Sequence, residues 1–154
     1  MGKYLLNGFL LIIPVLIWNI IFYKLLPQKY SIDTKSSFET AENIFRIIVF
    51  ALPLLMKISL ETKLQKFGMG LYLLGLAIYF ASWIVQIYFP DSLCGKSNFG
   101  LLAPAYTSII WLLGIGMVGQ FFFLANQYSW FYITMAAAFV VSHTMHMYYV
   151  LRLN

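Results

Sequence analysis

Residues 97–151 read SNFGLLAPAYTSIIWLLGIGMVGQFFFLANQYSWFYITMAAAFVVSHTMHMYYVL, a run of 55 residues without Lys, Arg, Asp or Glu. A helix crosses the hydrocarbon core of a bilayer with about 20 apolar residues, so this run is too long for one crossing. Asn126, Gln127, Tyr128 and Ser129 interrupt it. They divide it into two predicted helices, about 104–125 and about 130–151, joined by a tight turn. Pro104 suits the first turn of a helix, where its missing N–H costs nothing. The apolar runs are continuous, whereas the strands of a membrane β-barrel alternate apolar and polar residues. The expected spans are therefore helical.

Upstream, charged residues punctuate three more runs of similar length. The first predicted span covers about 4–26 and is closed by Pro27; its uncharged run, Tyr4 to Tyr23, is longer than a secretory signal core and lacks a cleavage pattern. The second covers about 43–60. Its uncharged centre, Ile47 to Met56, is bracketed by Arg46 and Lys57, whose long side chains reach toward headgroups. The third covers about 67–89 and ends at Pro90. The expected fold class is all-α: a polytopic membrane protein forming a single five-helix transmembrane bundle over residues 1–154, in an inner, plasma or organelle membrane.

The bulk numbers agree with that class. Hydrophobic residues make up 62% of the chain and charged residues 10%, with a mean hydropathy of +0.81; an ordinary soluble domain is about 25% charged. A soluble globule, a disordered chain, a coiled coil and a disulfide-stapled mini-protein are excluded, the last because Cys94 stands alone. The net charge of +5 comes from basic residues scattered over several loops. That distribution anchors helix ends to anionic headgroups and does not suit nucleic acid. Tyr and Trp near the predicted ends form an interfacial belt. The basic residues on the two sides nearly balance, so they do not orient the bundle. An odd number of spans does not divide into inverted halves.

Ser36-x-x-Glu39 is a capping box, which starts the second helix near residue 37, ahead of the hydrocarbon. Glu39, Glu42, Asn43 and Arg46 then share one face, with Glu42 and Arg46 in the favourable acid-first order. Pro14 and Pro53 fall inside the first and second helices, where each should kink the helix and release a carbonyl, at Leu10 and Val49. Gly114, Gly116 and Ala136 to Ala138 allow close helix contact. Asp91 to Gly100 reads as a surface loop.

Five crossings also dictate which helix ends lie together. Asn19 is late in the first helix; Glu39, Glu42 and Arg46 open the second; Trp83 and Gln86 close the third; His143 and His146 lie in the second half of the fifth. All fall in the half of the bundle that holds the C-terminus. His143 is about 12 Å below the end of its helix at 1.5 Å per residue, inside the hydrocarbon. Ionisable side chains at such depth turn inward, toward partners or a wet cavity. The expectation is a polar pocket in that half, lined by the second, third and fifth helices, with Asn19, Glu39, Glu42, Arg46, Trp83, Gln86, His143 and His146 as its ligand-binding residues.

Three functions fit those residues. The first is binding or processing of a lipid or small amphiphile. Glu42, Arg46 and a histidine would hold a headgroup phosphate or move a proton, and Trp83 and Tyr88 would flank an apolar chain. Membrane lipids are then the partners. In the second the chain is a structural or accessory subunit, packed against itself or another membrane protein. Glu42–Arg46 is then an ion pair and the histidines bond to Ser142, a tyrosine or a carbonyl. The third is a metal-dependent intramembrane enzyme, with zinc or iron on His143, His146 and Glu42 and a position open to water. That motif lacks a third histidine and the HExxH pattern. Serine nucleophile chemistry is not expected, because Ser142 and His143 are neighbours pointing about 100° apart on a helix.

Overall fold

The computed structural model describes residues 7–26, 37–121 and 130–153. The chain is mostly helical. Its first segment is a 3-10 turn, Gly8–Leu11, then α1 (Ile13–Phe22), then a second 3-10 turn, Tyr23–Leu25. Asn7 opens it by accepting the Phe9 N–H at 2.8 Å. Pro14 stands in the first turn of α1 and not within it. There its missing N–H separates the 3-10 turn from the α-helix. The carbonyl that the Tyr72 hydroxyl reaches, at 2.8 Å, is Leu11's, three residues before Pro14, where Leu10's was expected.

The second segment departs further from expectation. α2 (Ser37–Ala51) stops nine residues before the predicted end at 60. Pro53 cannot continue the α-helical ladder, and the chain tightens into a 3-10 turn, Leu52–Leu55. It then extends as β1 (Met56–Ile58). Ser36, the first residue of the expected capping box, lies outside the described residues.

α3 (Lys63–Tyr88) is the longest helix among the described residues. Thr62 caps it, accepting the Gln65 N–H at 3.2 Å, while Gln65 Oε1 accepts the backbone N–H groups of Glu61 and Thr62 and the Ser59 hydroxyl. This box sets the start at Lys63, four residues before the expected span. The segment read as a loop forms two single helical turns, α4 (Leu93–Lys96) and α5 (Asn98–Leu101), opened by Ser92 and Ser97. α6 (Ala103–Val118) follows with Pro104 in its first turn, as expected. It ends at Gly119, where β2 (Gly119–Phe121) pairs antiparallel with β1 in the register Met56–Phe121, Lys57–Gln120, Ile58–Gly119. Residues 122–125 and the predicted turn Asn126 to Ser129 lie outside the described residues, as do residues 4–6 of the first predicted span. α7 (Trp130–Leu153) completes the chain.

The ribbon fixes the relative direction of the helices. The bridge from Asn7 to Lys57, the β1–β2 pair and the Thr62 cap gather at one end. At the other end Gln86 donates to the Gly100 and Leu101 carbonyls, at 3.0 Å each, and Glu42 meets His143 and His146. Among the described residues the long helices α1, α2, α3, α6 and α7 thus run alternately up and down, α7 being the helix Trp130–Leu153.

α3 and α6 make the most extensive contact, and glycine permits it. A Cβ at Gly75 would lie 2.4 Å from the Trp111 nitrogen, and one at Gly114 would lie 2.5 Å from the Tyr72 nitrogen. Around this seam the core collects Tyr72, Leu76 and Tyr79 of α3, Leu112 and Ile115 of α6, Tyr132 and Ala136 of α7, and Val15 of α1. Among the described residues, two helical stretches, Gly8–Leu25 and Lys63–Tyr88, are long and apolar enough to cross a membrane. α6 is apolar but shorter.

Candidate functional site

The site is built around a buried carboxylate. Glu42 is 2% exposed in the first half of α2, where that helix packs on α7. Arg46, one turn on, donates through Nη2 to Glu42 Oε1, and its Nη1 lies 3.4 Å from Asn43 Oδ1. From α7, His146 Nδ1 lies 2.5 Å from Glu42 Oε2. That contact requires the Nδ1–H form of the ring, since an ionised carboxylate only accepts. His143 Nδ1 stands 3.0 Å from Oε1 but out of hydrogen-bonding alignment. Its ring lies flat on Phe139, with centroids 5.5 Å apart and planes within 6°. Spacings of three and four residues on two helices therefore bring four titratable groups to one contact.

Beside this cluster lies a cavity of about 640 Å³, within the range of small-molecule sites. Its wall includes Asn19 of α1, Arg46 of α2, Trp83 and Gln86 of α3, Ser108 of α6 and His143 of α7. One turn toward the ribbon end, the same helices contribute Val15, Phe50, Tyr79, Trp111 and Phe139. The offsets (15 and 19, 46 and 50, 79 and 83, 108 and 111, 139 and 143) are those of successive helical turns. A polar ring therefore stands above an apolar floor, and on the far side of the ring Leu26, Leu101, Pro104, Ala105 and Met147 complete the lining. The Tyr79 hydroxyl ties the two levels by donating to Asn19 Oδ1 at 2.8 Å.

Of the residues named from sequence, Asn19, Arg46, Trp83, Gln86 and His143 line the cavity. Glu42 and His146 sit behind its wall and hold the wall residues in place. Glu39, in the first turn of α2, lies outside the lining and within electrostatic reach of His146. α1 and α6 share the enclosure with the three helices expected from sequence. The apolar floor was not foreseen. Apolar residues on a helix that is apolar all round carry no mark of which face turns inward. Tyr79 had a signal of its own: a hydroxyl one turn below Trp83, in a span where a buried hydroxyl needs a partner.

His143, His146 and Glu42, the three residues considered for zinc or iron, do meet, but as ion pair and hydrogen bond. Two donors on one tetrahedral zinc ion stand about 3.3 Å apart, from metal–ligand distances of about 2.0–2.1 Å. The 2.5 Å between His146 and Glu42 leaves no such space, and Arg46 takes the carboxylate's other oxygen. Among the described residues no group of three His, Cys, Asp or Glu side chains is arranged to hold a metal ion.

Comparison with protein-family models, curated proteins and solved structures gave no match for this chain.

Proposed function

We propose that the chain is a five-span membrane protein whose cavity binds a lipid or small amphiphile. The observation that carries this reading is a cavity in which a ring of hydrogen-bonding side chains adjoins an apolar floor. An amphiphile has that same division.

The outer surface supports the membrane setting. Ile20 on α1 is 72% exposed and Ile47 on α2 is 70% exposed, and Ile17, Ile21, Ile44, Leu73 and Leu74 are also open. Apolar area in water costs about 25 cal/mol per Å², and a soluble monomer seldom carries so extended a patch. In lipid that cost vanishes. Length supports the shorter segments too. Ser37–Leu55 combines 15 α-helical and four 3-10 residues, about 30 Å at rises of about 1.5 and 2.0 Å. The 24 residues of α7 reach about 36 Å.

The reading is tested by mass spectrometry of lipids that copurify with the protein in nanodiscs. Wild type is expected to retain one amphiphile class above its bulk abundance. Leu16→Trp, which fills the cavity from α1, is expected to lose it. Bulk composition in both proteins would refute the proposal.

A further inference from the structure

The lining of the cavity is unbalanced in charge. Arg46 is the one side chain with a full charge among the described residues that line it, and no carboxylate joins it there. Glu42 is withdrawn behind the wall with its oxygens turned to Arg46 and His146. The Arg46 side chain remains 46% exposed. A guanidinium carries five N–H donors, and the Glu42 and Asn43 contacts leave several to face the cavity. Asn19 adds to this bias: Tyr79 occupies its carbonyl oxygen, which leaves the amide NH₂ as a donor. The ring is therefore rich in donors, and the one full charge in its lining is positive.

The floor limits the rest of the ligand. A volume of about 640 Å³ accommodates about twenty groups the size of water or a methylene, at about 30 Å³ each. That is enough for one acyl chain with a small head. Trp111 and Phe139, 2% and 5% exposed, form the apolar end.

We infer that the cavity takes a single-chain amphiphile with an anionic head, a carboxylate or a phosphate monoester, with the head on Arg46 and Asn19 and the chain against Trp111 and Phe139. This assignment rests on the amphiphile reading above and adds the class of head and the number of chains. Glu42 then acts as a positioning residue. It holds the Arg46 guanidinium at the ring while its own oxygens stay out of the lining.

The test uses brominated chains, which quench tryptophan on contact, and the protein in phosphatidylcholine nanodiscs. The probes are 9,10-dibromostearic acid, the matching alcohol, a monoacylglycerol phosphate with the same chain, and dibrominated phosphatidylcholine. The signal lost in Trp111→Phe reports the cavity. Saturable, Trp111-dependent quenching is expected from the acid and the monoacyl phosphate. The acid should bind about tenfold or more tighter than the alcohol, the worth of a hydrogen bond to a charged group. Whichever anionic probe binds tighter identifies the head. Arg46→Gln should bring the ratio of acid to alcohol affinity near one, and Arg46→Lys should keep it well above one. Equal affinity for acid and alcohol in wild type, or an unchanged ratio in a folded Arg46→Gln, overturns the anionic head while leaving amphiphile binding intact. Equal Trp111-dependent quenching by the diacyl probe overturns the single chain. No saturable quenching by any probe removes the amphiphile reading itself.

Discussion

Replacing Arg46 alone should destabilise the protein more than replacing Arg46 and Glu42 together. Glu42 is 2% exposed, whereas the Arg46 side chain is 46% exposed. Arg46→Leu leaves a buried carboxylate without its cation, a change that costs about 3–5 kcal/mol when a buried pair is broken. The two imidazoles remain close, so about 3 kcal/mol is expected here. Glu42→Leu with Arg46→Leu leaves no charge behind. Its main cost is the loss of the His146–Glu42 hydrogen bond, about 1–2 kcal/mol. The second substitution should thus restore about 1 kcal/mol or more. Glu42→Leu alone should fall near the double variant, because Arg46 can extend toward headgroups or solvent once released. Reversible unfolding in mixed micelles, with all four proteins compared in one cycle, measures these differences. A double variant no more stable than Arg46→Leu would refute the view that the carboxylate depends on its cation.

Two further outcomes follow from the packing. Gly75→Ala and Gly114→Ala should each cost about 1–3 kcal/mol, the usual range for overpacking, because the new methyl would meet backbone on the facing helix. Gly70→Ala should be neutral or stabilising by up to about 1 kcal/mol, since nothing lies within 4 Å of its added carbon; thermal unfolding of the three variants checks the contrast. Tyr72→Phe should cost about 1–3 kcal/mol through the unsatisfied Leu11 carbonyl, and amide exchange should quicken around Gly8 to Leu16 before it does so in α6.

The sequence made the helical segments legible because outward-facing and core-facing residues are equally apolar, which gives long uninterrupted runs. The same property hid the interior. Nothing in the run 97–125 distinguishes Trp111, on the cavity floor, from an outward residue. Polar residues were more informative, because each needs a partner. Asn19, Arg46, Trp83, Gln86 and His143 surround one cavity, and the partner that spacing suggested for Arg46, Glu42, is the one observed. Helix ends were read less well. Apolarity continues past Ala51 and Val118, so it could not mark where α2 and α6 stop. Pro53 and Gly119 end them, and the β1–β2 ribbon that follows depends on pairing residues more than sixty positions apart. Gln86 shows another limit. It reads as a ligand-binding amide, yet its nitrogen is committed to the Gly100 and Leu101 carbonyls.

The central claim is that alternating crossings gather the polar side chains of different helices in one half of the membrane. Cysteine labelling by a membrane-impermeant maleimide in sealed, oriented vesicles tests it most directly. The native Cys94 is exposed, and Ser37→Cys, Glu61→Cys and Leu153→Cys in a Cys94→Ser background supply three more exposed sites. Positions 37, 94 and 153 should react from one side and position 61 from the other. Reaction of position 61 from the same side as any of the other three would contradict the account.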